Sequence, residues 1–164
     1  MTVLGIDPGR TGGAVILDGR RCVVALQLAD LGPWSAGAAA LLAAWLAPHV
    51  DDLELCGIES PSIRPGESGR SALTIGTGYG LLLGVVASFG VRVEVMTPPT
   101  WRRALRLPAR GKDRKAAKAD AIAWAAQVPG LDLTPGRCTT PQSGLADAAC
   151  IAAATAILYP SEAT

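Results

Sequence analysis

The sequence predicts an α/β domain: a five-stranded mixed sheet, three antiparallel strands plus two parallel ones, with helices on both faces. Three observations predict it. The chain opens on three short apolar runs separated by Gly-rich turns. Two further apolar runs, Leu53 to Ile58 and Val91 to Met96, alternate with Ala/Leu-rich stretches of helical length. Hydrophobic residues make up 49 % and charged residues 18 % of 164 positions, the composition of one packed domain spanning 1–164 rather than of a disordered chain.

Thr2 to Ile6 reads as the first strand, and Asp7-Pro8-Gly9-Arg10-Thr11-Gly12-Gly13 as the turn that ends it. Ala14 to Leu17 resumes the apolar pattern, Asp18-Gly19 signals a hairpin, and Cys22 to Leu28 completes a meander. Pro33 and Pro48 bracket a helix over Ser35 to Ala47. Leu53 to Ile58 is a short buried strand ending at Glu59, followed by a Pro/Gly/Ser-rich loop from Ser60 to Ser71. Ala72 to Phe89 is expected to be a buried core helix stopped by Gly90. After the strand Val91 to Met96, Pro98-Pro99 opens a short helix through Leu105. Lys112 to Gln127 is a longer amphipathic helix, and Ser143 to Leu158 a last apolar one. Parallel addition of strands to the meander needs crossovers, which these helices supply.

Composition also excludes function classes. Lys plus Arg is 15 against Asp plus Glu 14, so any nucleic-acid site is a local patch rather than a basic coat. Aromatics at 4 % argue against a base-stacking platform. Cys22, Cys56, Cys138 and Cys150 have no C-x-x-C spacing, and His49 is the one histidine, which leaves four reduced, buried thiols as the expectation. Asp7 interrupts the apolar start before a signal-peptide core forms, so the expected location is the cytoplasm. Ser71 to Val91 lacks charge over a bilayer-spanning length. Its glycines and its flanking Arg70 and Arg92 favour a core helix over a membrane span.

Three carboxylates sit in apolar company. Asp7 ends the first strand, Glu59 the fourth, and Asp147 lies within the last helix. Each has an ordinary alternative: Asp7 capping its turn, Glu59 facing solvent at a strand end, Asp147 capping a first helical turn. Taken together they point elsewhere. A buried carboxylate needs a cation or a donor. Strand ends on one sheet edge converge on one crevice. Oxygen ligands suit Mg²⁺ or Mn²⁺, and acids from separate elements are what metal-assisted phosphoryl hydrolysis needs.

The basic residues cluster too. Arg102, Arg103, Arg106, Arg110, Lys112, Arg114, Lys115 and Lys118 face a single acid, Asp113, within that segment. Such a patch attracts a phosphate backbone, its plain alternative being a solvated helix face. Lys115 and Lys118 share a helix face at i, i+3.

Gly5-Ile6-Asp7-Pro8-Gly9 with Thr11-Gly12, then Ile58-Glu59, then Ala146-Asp147-Ala148 resembles the RuvC-type Holliday junction resolvases of the ribonuclease-H-like (retroviral integrase) superfamily. Gly76-Thr77-Gly78-Tyr79-Gly80-Leu81-Leu82-Leu83-Gly84 and Thr97-Pro98-Pro99-Thr100-Trp101 resemble the short phage-encoded branch of that family. The similarity runs from Leu4 to Ala156. It implies a ribonuclease-H-like fold and a homodimeric endonuclease of DNA recombination and repair, in a bacterial cell or phage-infected host. Such an enzyme binds four-way junctions and nicks two strands symmetrically to 5′-phosphates. The cofactor implied is Mg²⁺, with Mn²⁺ a substitute, and no nucleotide or membrane is involved.

Asp7, Glu59 and Asp147 match the family's catalytic, metal-binding acids; one metal would activate the attacking water and a second stabilise the leaving oxygen. Lys115 or Lys118 matches its basic catalytic helix, the choice between them open. Arg64, Arg70, Arg102, Arg103, Lys112, Arg114, Lys115 and Lys118 are the expected DNA contacts. Two departures stand out. Where the family carries a further acid or histidine one turn before the last Asp, this chain has Ser143 and Gly144, of which Ser143 would at best hold a metal-bound water. Where cellular members carry an aromatic wedge, Ser60-Pro61-Ser62-Ile63-Arg64 leaves Ile63 or Arg64 to open the junction.

Other classes remain in view. A broader branched or flap nuclease and a junction-binding module with weak catalysis share the same residues. The Gly-rich turn after Asp7 also looks like the first phosphate loop of the actin/sugar-kinase superfamily, but 164 residues make only one of the two domains that close around ATP. Gly76-x-Gly78-x-Gly80 has Leu81 at the last glycine position of a dinucleotide fingerprint.

Overall fold

A computed structural model describes residues 1–62, 66–111 and 113–160. Ile63, Arg64 and Lys112 therefore lie outside the described residues. The expected elements are present in the expected order: β1 (Thr2–Asp7), β2 (Gly13–Asp18), β3 (Arg21–Gln27), α1 (Ala36–Leu46), β4 (Leu53–Glu59), α2 (Gly69–Ser88), β5 (Val93–Met96), α3 (Pro98–Ala104), α4 (Arg114–Ala125) and α5 (Ser143–Leu158). The sheet order is β3-β2-β1-β4-β5, antiparallel from β3 to β1 and parallel from β1 to β5. This is the three-plus-two sheet the sequence predicts.

Local chemistry sets the boundaries. Ser35 caps α1 by accepting the Ala38 N–H at 3.3 Å. Asp113 caps α4 by accepting the Ala116 N–H at 2.9 Å, which starts that helix at Arg114. Ser68 caps α2 by accepting the Ser71 N–H at 3.2 Å, which starts that helix at Gly69, three residues before the expected Ala72. Gly19 closes the β2–β3 hairpin at φ 58°.

Strand periodicity divides the core in two. Leu4, Ile6, Ala14, Ile16, Cys56 and Ile58 pack under α1 and α2. Val3, Val15, Leu17 and Leu55 pack under α3, α4 and α5. On that second face α5 lies directly on strand backbone. A side chain at Gly5 would overlap the Ala148 carbonyl, and one at Gly57 would overlap the Thr155 hydroxyl. The odd positions of β1 and β4 thus run Val3, Gly5, Asp7 and Leu55, Gly57, Glu59, with the carboxylates on the face that carries α5.

Helix α2 departs from expectation. It is not a buried core helix: Gly78, Leu82 and Val86 alone are buried, one stripe at i, i+4, i+8. Leu73 is 70 % exposed, and Gly76, Gly80 and Gly84 have open space where a side chain would stand. Gly76, Gly80 and Gly84 leave the outer side of the helix without side chains to bury. By length and a mean hydropathy of 1.4, α2 would also suffice to cross a membrane, as one such helix among the described residues. The thiol expectation also shifts slightly: Cys22, Cys56 and Cys150 are buried, whereas Cys138 is half-buried.

Candidate active site

β1 and β4 are parallel neighbours whose register runs to Ile6–Ile58, so their last residues, Asp7 and Glu59, end side by side at one sheet edge. The turn beyond Asp7 is tied by the Gly12 N–H donating to the Gly9 carbonyl at 2.8 Å. A side chain at Gly12 would overlap the Asp7 carbonyl, so this turn needs glycine there. Gly12 also bridges to Gly144 at the start of α5, which fixes that helix against the same edge. Asp147 follows four residues after Ser143, next to the Ala148 that touches Gly5. Three elements thus bring Asp7, Glu59 and Asp147 together.

Their charges act on one another. Burial raises the Asp7 carboxyl, against the Gly9 N–H and the Lys118 charge, which lower it. Glu59 is pushed up to about 7 by burial and the Asp7 charge, opposed by the Trp101 indole N–H, which donates to Oε2 at 2.8 Å. Asp147 is pushed up to about 7 by burial, Asp7 and Glu59, with Lys118 and Arg102 opposing. The plain alternatives fare unevenly. Asp7 does accept a long 3.4 Å bond from the Gly9 N–H, but Glu59 is half-buried against an indole and Asp147 sits past the first turn of α5 without a capping bond.

These shifts set a sign for pH dependence. Glu59 and Asp147 bind protons more tightly in the folded chain, near 7, than at their ordinary 4.5 and 3.8. Between those values the native state holds more protons than the unfolded one, so stability falls as pH rises. Metal-free protein should lose melting temperature steadily from about pH 5 to about pH 8. A thermal-melt series in EDTA checks this, and a flat profile would mean the carboxylates are better compensated than their burial indicates.

The donor set suits a hard divalent cation. It is all oxygen, drawn from three elements, and burial plus mutual repulsion outweigh the cations facing it. Among the described residues no three His, Cys, Asp or Glu side chains stand close enough together to hold a metal ion by themselves. Mg²⁺ keeps much of its water and takes one or two carboxylates plus substrate phosphates, so an open protein half-site is compatible with it.

The basic residues separate on inspection. Of the two candidate lysines, Lys118 is the one whose charge acts on Asp7 and Asp147. Arg103, Arg114, Lys115, Lys118 and Arg70 are exposed. Arg102 is a correction. Its guanidinium donates to the Ala117 and Pro108 carbonyls and to Asp120 Oδ2 at 3.0–3.1 Å, and its side chain is 12 % exposed. It joins α3 to α4 rather than waiting for a phosphate. Arg110 is held by the same Asp120 through two bonds of 2.8 and 2.9 Å. The Gly76–Gly80 run is mid-helix in α2, where backbone N–H groups are already used, so it cradles no phosphate.

Sequence reasoning missed Trp101. It reads as a core residue, and it is 3 % exposed, but its N–H bonds Glu59 across 42 positions of sequence.

No family model and no curated protein matches the chain. Solved structures do. Thermus thermophilus RuvC in complex with a Holliday junction substrate superposes with a TM-score of 0.66 at 22 % identity, over 96 % of this chain and 94 % of that one. A second structure of Thermus thermophilus RuvC gives 0.65 at 22 % identity over 96 % and 95 %. The fold is that of RuvC. The chain spans nearly the full length of the RuvC chains it matches.

Proposed function

We propose that this protein is a divalent-metal-dependent, structure-selective DNA endonuclease that resolves four-way junctions by paired symmetric nicks leaving 5′-phosphates. The observation that carries the reading is the convergence of Asp7, Glu59 and Asp147 at one edge of a RuvC fold, faced by Lys118. Asp7, Glu59 and Asp147 would hold the cation, with Ser143, one turn before Asp147, holding a second through water. Mg²⁺ or Mn²⁺ bound there would polarise the scissile phosphate and lower the pKa of the attacking water.

The chain's own residues do the rest. The three acids must ionise to bind the cation, and their raised pKa values couple cutting to near-neutral or higher pH. Lys118 offsets their charge and meets the scissile strand. Exposed Arg70, Arg103, Arg114 and Lys115 hold the flanking backbone by Coulomb attraction. Arg64 and Lys112 join them by position in sequence, and Ile63 is the wedge candidate. The working location is the cytoplasm of a bacterium or an infected host.

We infer a homodimer from α2. Its exposed face carries Leu73 beside the smaller Gly76, Thr77, Gly80 and Gly84, along one helix side where a second copy's helix can approach closely. A two-fold protein also suits a two-fold junction.

The test is cleavage of a labelled four-way junction, a flap and a linear duplex in Mg²⁺, Mn²⁺ or EDTA, with sedimentation of the same sample. Paired nicks on the junction alone, lost in EDTA, from a dimer, are expected. Cutting of flaps as well would broaden the substrate class. Junction binding without cutting would favour a binding module limited by Ser143, with Ser143→Asp as its repair.

A further inference from the structure

We infer that Trp101 is a positioning residue for Glu59. Its indole N–H holds one carboxylate oxygen so that the other faces the divalent cation. The inference rests on the metal-dependent reading above and adds to it a residue outside the acidic set.

The geometry is specific. An indole N–H is a donor only, so it takes one lone pair of Glu59 Oε2, at 2.8 Å, and leaves Oε1 unengaged by it. The carboxylate loses its freedom to rotate between one-oxygen and two-oxygen ligation. The indole itself is held by its surroundings. The Ser60 N–H donates to the Met96 carbonyl at 2.8 Å, tying the end of β4 to β5, and Pro98-Pro99 start α3 immediately after. The Trp101 ring packs in the core with α4 and α5, among them Cys150 and Ala121. On its other side the Arg102 guanidinium stands 5.4 Å from the ring centroid, itself tied to Ala117, Pro108 and Asp120. A donor locked this firmly does more than fill space.

Partners that orient metal ligands typically change metal affinity 10–100-fold when removed. Trp101→Phe keeps an aromatic ring and deletes the donor. Replacement of Trp101 by 3-benzothienylalanine keeps the bicyclic shape and deletes only the N–H, which guards against a variant that fails to pack. The readout is Mn²⁺ binding to the DNA-free full chain, followed by electron paramagnetic resonance of free Mn²⁺, with thermal melts in EDTA alongside.

The expected result is Mn²⁺ affinity about 10–100-fold weaker in both variants. The benzothienyl variant should melt like wild type, and excess Mn²⁺ should restore its maximal cleavage rate. Unchanged Mn²⁺ affinity in the benzothienyl variant, with wild type binding normally, overturns the role of Trp101 and leaves the nuclease reading standing. Failure of wild type itself to bind Mn²⁺ overturns both.

Discussion

Asp7→Asn should abolish junction cleavage while raising the melting temperature of the metal-free protein. The two effects have one cause. Asp7 is desolvated, and its charge raises both Glu59 and Asp147. Removing it relieves that repulsion, and the Asn side chain can still accept from the Gly9 N–H. Relief of that repulsion adds stability at neutral pH, where the folded acids are ionising. For a chain of this size each kcal/mol of that gain raises the melting temperature by about 2–4 °C. The same substitution removes a ligand oxygen and its charge. Loss of about 4 kcal/mol of transition-state stabilisation is a roughly 10³-fold fall in rate. Melts in EDTA at about pH 7.5 and single-turnover cleavage in Mn²⁺ read both. A variant that loses stability together with cleavage would make Asp7 a turn cap first, with its role in chemistry secondary.

The sheet was legible because strands announce themselves by period two and by glycine at their ends. Gly5 and Gly57 each stand two residues before a strand-end acid, and both turn out to be where α5 rests on the strands. Asp7 and Glu59 could be read together with Asp147 because each is a lone carboxylate in apolar company, two of them at strand ends. What local sequence did not carry is the identity of partners across the chain. The charge run from Arg102 to Lys118 looks uniform, yet Arg102 turns inward to Asp120 while Arg103, its neighbour, stays exposed. Lys115 and Lys118 lie one turn apart, and only the packing of α4 on α5 decides which of them faces the acids. α2 misled because a long uncharged stretch reads as a core helix, while its glycines offer nothing to bury. The Trp101–Glu59 bond joins α3 to β4, and no periodicity encodes it.

Gly5→Ala should be strongly destabilising, and it should reduce cleavage without touching an acid. The added carbon would meet the Ala148 carbonyl, the Ala152 nitrogen and, at 2.8 Å, the Ala152 Cβ. All belong to the backbone or the shortest side chain of α5, so no rotamer change relieves the overlap and the helix must lift. Overpacking of this kind costs about 1–3 kcal/mol, occasionally more. Asp147 neighbours Ala148, so a lift of α5 carries its carboxylate away from Asp7 and Glu59, and a shift of about 1 Å can cost on the order of 10²-fold in rate. Gly37→Ala is the control. It sits in α1 with only the Ser35 Oγ nearby, at 3.6 Å, and should gain about 0.5–1 kcal/mol from reduced chain entropy. The two melting temperatures therefore move in opposite directions, and Gly5→Ala alone loses cleavage, if α5 seats on β1 as described. A Gly5→Ala protein that melts and cuts like wild type would mean that α5 is free to shift along the sheet. One that melts like wild type but has lost cleavage would place the whole effect in the position of Asp147, and would make helix seating, rather than the acids alone, the determinant of a competent site.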